Sequence, residues 1–215
     1  DIPVITMAQK MISGIDTYAL LAVPFFIMAG NVMNMGGVTR RLFRFASALV
    51  GWIPGGLGHA NVLASMIFAG MSGAAIADAG GLGTIEIKAM QDEGFDTPFS
   101  AGITAASSTI GPIIPPSIPM VIYASIANVS VGKLFLAGAV PGILMGVALM
   151  IMVYIMAKKR KYPVHARFDL KEATISFIDG FLPLMTPAII LGGILFGIFS
   201  PTEAAIIASS YALNL

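Results

Sequence analysis

The chain has 215 residues, of which 57% are hydrophobic and only 11% are charged, and its mean hydropathy is +0.89. A soluble domain carries about 25% charged residues, so this composition excludes a water-soluble surface and predicts an all-α integral membrane protein embedded in a lipid bilayer. The net charge of +1 gives no basis for nucleic-acid binding, and a chain without cysteine forms no disulfide or cysteine-ligated metal site.

The first segment, residues 1–58, is predicted to contain one membrane span and then an amphipathic helix. Residues 17–39 carry no charge and exceed the roughly 20 helical residues that cross a bilayer core. The arginines that follow, at 40, 41 and 44, are interspersed with aromatic and aliphatic residues, a mixture typical of a helix that lies at the membrane interface. The start of a second span is the alternative interpretation.

Residues 59–92 are predicted to form a re-entrant helical hairpin whose tip is the Gly/Ser cluster at 70–73. The cluster leaves about 12 residues before it and about 16 after it, or roughly 18 to 24 Å for each arm at the rise of an α-helix. Arms this short do not cross a bilayer comfortably, and such a tip must be buried in protein or face water. Two full spans remain an alternative, because both arrangements place the basic clusters at 40–44 and 158–171 on the cytoplasmic side.

Residues 97–132 contain no charge and would form a helix about 54 Å long, which is too long for a single span. Four prolines interrupt this stretch at 112, 115, 116 and 119. Because proline has no N–H and clashes with the preceding helical turn, we expect two half-helices joined by non-helical backbone at mid-membrane depth. Broken helices of this kind are typical of secondary transporters.

The break offers oxygen atoms to an ion. The carbonyls from Thr109 to Ile114 lose their helical partners and carry the negative end of the helix dipole, which suits a hard cation such as Na⁺. Ser117 is expected to cap the second half-helix, whose N–H groups suit an anion. At the hairpin tip, the Ser72 hydroxyl could bind an ion, and Asp78 places a carboxylate about one turn into the return arm. An intramembrane carboxylate suggests a function, although stabilisation of the helix N-terminus explains Asp78 equally well.

The remaining chain reads as a full span at 133–157, a basic cytoplasmic loop at 158–176, and further membrane helices from 177 to 215. In the last segment, Ser200 or Thr202 is expected to cap a helix together with Glu203. The chain begins without methionine and stops inside an apolar run, so we expect it to be part of a longer protein. No signal-peptide pattern is visible at its start.

Several long motifs resemble one family. They are GWIPGGLGHANVLASMIFAGMSGAAIADAGGLGTIEI, STIGPIIPPSIPMVIYA, LFLAGAVPGILMG and GIFSPTEAA, and they are similar to the large membrane subunit of tripartite ATP-independent periplasmic (TRAP) transporters over nearly the whole chain. The resemblance implies an elevator-type carrier of two inverted repeats in the inner (cytoplasmic) membrane of a bacterium or archaeon. It also implies sodium-driven import of an organic acid, such as a C4-dicarboxylate or sialic acid, with a small membrane subunit and a periplasmic substrate-binding protein as partners.

The resemblance also implies a sodium site between the hairpin tip and the broken helix. Ser72 and Gly73 would contribute from the tip, and backbone oxygens would come from Gly111, Ile114 and Pro116. Pro115 and Ser117 would shape the break, near Thr109 and Asp78. No catalytic residue and no metal other than sodium is expected.

Two features depart from the family pattern. The tip reads SGA rather than SGS, so Ala74 replaces one possible hydroxyl ligand. The second inverted repeat is incomplete, because no second hairpin or second broken helix follows residue 177. We therefore expect that these 215 residues do not transport alone, and the selected acid and the sodium stoichiometry are not readable from them.

Two other functions are alternatives. The GxSG pattern at 70–73 is found in intramembrane serine proteases, but a nucleophilic serine needs a base within hydrogen-bond reach, and His59 and His165 are both far from Ser72 in the predicted arrangement. A purely structural membrane subunit would not need two interrupted segments at membrane depth.

Overall fold

The computed structural model describes residues 5, 6, 9, 17–165 and 167–215. All regular secondary structure in this part of the chain is helical, which confirms the all-α prediction. Three of the described helices are long and apolar enough to cross a membrane, and they span Tyr18–Met35, Val131–Arg160 and Leu170–Leu195. Of the predicted first segment, most of residues 1–16 lie outside the described residues.

The first span is a 3₁₀ turn, Tyr18–Leu21, that continues as helix α1, Ala22–Met35. It ends at Met35, and Gly37 then adopts a left-handed conformation (φ +75°) at the start of the next helix. Helix α2, Val38–Val50, follows at once. It buries one apolar face and leaves Arg40 and Arg44 exposed, as expected of an interfacial helix.

The hairpin consists of α3, Gly56–Ser72, and α4, Ala75–Asp92, joined by only two residues. The arms are longer than predicted, at 17 and 18 residues, or about 26 Å each. The difference arises because α3 begins before His59, directly after a left-handed Gly55, and because both helices continue up to the tip.

The proline-rich stretch separates α5, Thr97–Ser108, from α6, Ile118–Ala127. Asp96 caps α5 by accepting the Phe99 N–H at 2.7 Å. Helix α6 ends at Ala127 rather than near residue 132, because Asn128 adopts a left-handed conformation and closes the helix. Residues 109–117 are therefore a non-helical break between two short helices.

Three further helices complete the described chain: α7, Val131–Arg160, α8, Leu170–Leu195, and α9, Pro201–Ala212. The loop between α7 and α8 covers residues 161–169 and is shorter than the predicted 158–176. Hydropathy identifies the apolar part of a helix, and both helices extend beyond that part into polar sequence. The predicted capping of the last helix is confirmed: Ser200 and Glu203 form a reciprocal capping box.

The hairpin arm α3 lies at the centre of the fold, where it packs against α2, α4, α5 and α7. Three glycines on one side of α7, at 138, 142 and 146, allow this close packing. A side chain at Gly146 would collide with Met66 of α3, and one at Gly142 with Ile114 of the break. At Gly138, an added Cβ would lie 2.5 Å from the carbonyl oxygen of Ile113. The long helix α7 thus supports both the hairpin and the break.

At the end of α7 that leads into the basic loop, a polar cluster joins two segments. The Asp96 carboxylate accepts hydrogen bonds from the Tyr162 phenol and the Arg160 guanidinium. The Tyr162 hydrogen bond, the Phe99 N–H and Arg160 together lower the pKa of Asp96 below its usual value. The cluster connects the start of α5 to the end of α7.

Candidate ion-binding site

The hairpin tip is a sharp reversal made by Gly73 and Ala74. The Gly73 N–H donates to the Ala69 carbonyl at 3.2 Å, and its φ of +62° is a conformation that glycine adopts without strain. Ser72, the last residue of α3, is 1% exposed. Its hydroxyl has no hydrogen-bond partner among the described residues, although buried hydroxyls are normally bonded. The tip therefore presents one buried oxygen that is available to a ligand.

The break touches the tip directly. The Ile118 N–H donates to the Gly73 carbonyl at 3.2 Å. A Cβ at Gly73 would lie only 2.5 Å from the Pro116 carbonyl oxygen, and one at Gly111 would lie 3.2 Å from the Ala74 carbonyl carbon. The tip and the break, which the sequence analysis assigns to one site, are thus in backbone contact. Each of the two segments contributes a glycine to that contact.

Six carbonyl oxygens in the break accept no hydrogen bond from the described residues: those of Gly111, Ile114 and Pro116, and those of Thr109, Ile113 and Pro115. Helical geometry explains the first, because the residue four positions later is Pro115, which has no N–H. The Ile114 carbonyl would normally pair with the Ile118 N–H, which bonds to the tip instead. The carbonyl oxygens of Gly111, Ile114 and Pro116, three of these six, are those that the family resemblance assigns to sodium.

Ser117 holds the break in shape. Its hydroxyl donates to the Pro112 carbonyl at 2.5 Å and accepts the Met120 N–H at 3.2 Å, so it closes the break and caps α6. Pro115 is buried beside it. The shaping roles predicted for both residues are consistent with this geometry.

Thr109 does not face the tip. It is the C-terminal cap of α5, its side chain is exposed, and its hydroxyl donates to the Ala106 carbonyl at 2.7 Å. The sequence prediction for Thr109 concerns its backbone carbonyl, which accepts no hydrogen bond from the described residues. The Thr109 side chain is therefore not a candidate ligand, whereas its carbonyl remains one of the unpaired oxygens of the break.

Asp78 is 1% exposed, in the first turn of α4. Neither carboxylate oxygen has a hydrogen-bond partner among the described residues, and the side chains of Ser65 and Ser108 lie nearby without meeting hydrogen-bond geometry. The carboxylate therefore lies one turn from the tip, near Ser65 of α3 and near Ser108 at the end of α5.

Two residues that the sequence did not indicate, Gly30 and Pro187, pack against the tip. A Cβ at Gly30 of α1 would lie 3.2 Å from the Ser72 Cβ, and one at Gly70 would lie 2.9 Å from Pro187 of α8. Beside the tip, a cavity of about 510 Å³ opens between α1 and the hairpin, and Asn31 is among the residues that line it. A small residue inside an apolar helix is the sequence feature that could have indicated such a contact. Because the sequence contains many small residues, this feature does not single out Gly30.

The serine-protease interpretation is not supported by the geometry. His59 lies in the first turn of α3, thirteen residues before Ser72, or about 20 Å along a helix. His165 lies in the loop after α7, where it contacts Glu93. Neither imidazole is placed to activate Ser72.

Comparison with known proteins assigns the family. The model of the "Tripartite ATP-independent periplasmic transporter, DctM component" family matches residues 1–215. The sialic acid TRAP transporter large permease protein SiaM of Vibrio cholerae is 54% identical over 97% of this chain and 49% of its own length. The sialic acid TRAP transporter permease SiaT of Haemophilus influenzae is 52% identical over 95% of the chain and 33% of its own length. The C4-dicarboxylate TRAP transporter large permease protein DctM of Pseudomonas aeruginosa is 46% identical over 96% of the chain and 48% of its own length. The chain thus spans between a third and a half of the length of these relatives.

Proposed function

Because the chain belongs to the DctM family of TRAP transporter large permease proteins, we propose that it supplies the ion-binding part of a sodium-coupled importer of organic acids. It is a multi-pass protein of the bacterial inner membrane. The proposal goes further than the family assignment in two respects, which are the coupling ion and the residues that bind it.

The contact between the hairpin tip and the helix break carries the proposal. Six unpaired carbonyl oxygens of the break, including the three proposed ligands, and the unpaired Ser72 hydroxyl lie in the two segments that meet there. Unpaired polar groups at membrane depth are costly, and binding a cation satisfies them. Hard cations prefer oxygen ligands, and unwound carbonyls of broken helices bind Na⁺ in secondary transporters.

Na⁺ would also stabilise the contact itself. The tip carries Ser72 and Gly73, and the break carries Gly111, Ile114 and Pro116, so an ion bound by both segments favours the arrangement in which they touch. Sodium bound here would couple the ion gradient to the position of the hairpin. Ala74 in place of a serine leaves backbone oxygens to complete the coordination.

The transported substrate is proposed from the relatives. Two relatives named for sialic acid are 54% and 52% identical, and one named for C4-dicarboxylates is 46% identical. Sialic acid is therefore the first substrate to test. We further propose a small membrane subunit and a periplasmic binding protein as partners, and an elevator movement in which α3–α6 travel against α1 and α2.

Uptake into proteoliposomes tests the proposal, with the permease that contains this chain assembled with its partners. Ser72→Ala removes a hydroxyl but almost no volume. We expect it to raise the sodium concentration for half-maximal uptake by about tenfold, which corresponds to roughly 1.4 kcal/mol of lost ion binding. The control is Thr84→Ala, which removes an exposed hydroxyl that bonds only within α4. Equal sodium dependence for both variants and the wild type would exclude Ser72 as a ligand.

A further inference from the structure

A second buried polar cluster lies in the hairpin, away from the tip, and its centre is Glu86 of α4. Glu86 is 0% exposed. Its Oε2 accepts a hydrogen bond from the Asn61 side-chain amide at 2.8 Å. Its Oε1 is buried and has no partner among the described residues.

The groups around Glu86 form a continuous network across three helices. The Asn61 amide of α3 also donates to the Thr104 hydroxyl of α5 at 2.6 Å, and its carbonyl accepts from the Ser107 hydroxyl at 2.8 Å. A further hydrogen bond of 3.0 Å joins the hydroxyls of Ser65 and Ser107. Each of these side chains is neutral, and each is nearly or fully buried.

No positive charge among the described residues compensates Glu86. Helix α5 has no ionisable residue between Thr97 and Ser108, and among the described residues no ion pair includes Glu86. Besides Glu86, the ionisable groups on α2, α3 and α4, the helices that pack around it, are Arg40, Arg41, Arg44, His59, Asp78, Lys88 and Asp92. Of these, Asp78 is an acid two turns away on the same helix, and its charge opposes a second negative charge at Glu86.

A buried carboxylate without a counter-charge is neutralised by binding a cation or a proton. A metal ion needs several oxygen ligands, but the oxygens of Asn61, Ser65 and Thr104 already take part in hydrogen bonds within the network. The described residues also contain no group of three or more acidic or imidazole side chains that could hold a metal. A proton needs neither space nor further ligands.

We propose that Glu86 is a proton-binding site, which holds a proton while α3, α4 and α5 are packed together. The neutral acid fits a network of neutral amide and hydroxyl groups, and it removes the repulsion with Asp78. This site is separate from the tip, and the inference does not depend on sodium coupling. Loss of the proton would place a charge between three helices and loosen the base of the hairpin.

Infrared spectroscopy of the membrane-embedded, full-length permease tests the proposal. At neutral pH, we expect the difference spectrum between wild type and Glu86→Gln to show a protonated-acid carbonyl band that shifts when H₂O is replaced by D₂O. Asp92→Asn is the matched control, because Asp92 is exposed near the end of the same helix. Its difference spectrum should not contain the protonated-acid band assigned to Glu86.

Two results would overturn the proposal. One is a wild-type minus Glu86→Gln spectrum that contains carboxylate bands alone, and the other is a Glu86 carboxylate band that responds to Na⁺ but not to pH. If Glu86→Gln fails to reach the membrane, Thr104→Val replaces it. That variant removes the hydroxyl that shares the Asn61 amide, so the acid band should move in frequency. An acid band identical to that of the wild type would then contradict the assignment to Glu86.

Discussion

The substitution Gly73→Ala perturbs the contact between tip and break with the smallest possible side chain. Two costs arise from the structure. Gly73 has a φ of +62°, and a residue with a Cβ pays about 1–2 kcal/mol in that region. The new Cβ would also lie 2.5 Å from the Pro116 oxygen and 3.2 Å from the Ile118 nitrogen. Ordinary contact begins at 3.4 Å, so the tip and the Pro116 carbonyl must separate by about 0.9 Å.

A displacement of this size matters for ion binding, because Pro116 is one of the proposed ligands. Misplacement by about 1 Å is enough to lose much of the benefit of a preorganised site. We expect Gly73→Ala to weaken sodium binding at least tenfold, or by about 1.4 kcal/mol. The measurement is the thermal unfolding midpoint of the purified full-length permease, followed across a sodium titration with potassium as the balancing salt.

Gly102→Ala is the matched control. Gly102 lies inside α5, it is exposed, and no atom lies within 4 Å of its added Cβ. Alanine in a helix interior is more favourable than glycine by up to about 1 kcal/mol, so this variant should unfold at the same or a higher temperature with unchanged sodium dependence. If Gly73→Ala shows the wild-type sodium titration, the contact between tip and break is not part of a sodium site.

Two further predictions concern the break and the polar cluster after α7. Ser117→Ala should destabilise the permease by about 1 kcal/mol through loss of the α6 cap, and it should weaken sodium binding. The control Ser130→Ala removes only the α7 cap and should leave sodium binding unchanged. Thermal unfolding with and without sodium measures both effects. Asp96→Asn keeps a capping side chain but removes the charge. Because the pKa of Asp96 is lowered in the folded protein, mainly by Tyr162, its contribution to stability is present above its usual pKa of 3.8 and is lost as the pH falls further. The variant should therefore lose less stability on acidification than the wild type.

The results that would contradict these two predictions are specific. Equal loss of sodium binding in both serine variants would show that the effect comes from general destabilisation and not from the shape of the break. An acid-unfolding curve of Asp96→Asn with the wild-type slope would show that the Asp96 cluster does not contribute to stability at low pH.

The break was predictable from sequence because its causes are local. Proline removes hydrogen-bond donors wherever it lies, and Ser117 caps the helix that follows it, as Ser200 does with Glu203 at α9. The helix ends were less predictable. The left-handed conformation of Asn128 ends α6 early, and hydropathy, which extended this segment to residue 132, contains no information about such a reversal.

The side-chain contacts of the site depended on packing and could not be predicted in the same way. Thr109 is two residues from Gly111, yet it points away from the tip because of its position on the last turn of α5. The pairing of Asn61 with Glu86 joins two helices whose rotation is set by the whole bundle. A buried glutamate in the sequence segment GTIEIKAM has no local feature that identifies its partner.

Equilibrium binding of radioactive ²²Na⁺ to the purified full-length permease tests the central claim most directly, because it needs neither substrate nor partner proteins. The account predicts saturable binding in the wild type, retained by Thr84→Ala and Gly102→Ala and weakened at least tenfold by Ser72→Ala and Gly73→Ala. Undiminished binding in both tip variants would contradict the claim that the tip and the break form a sodium site.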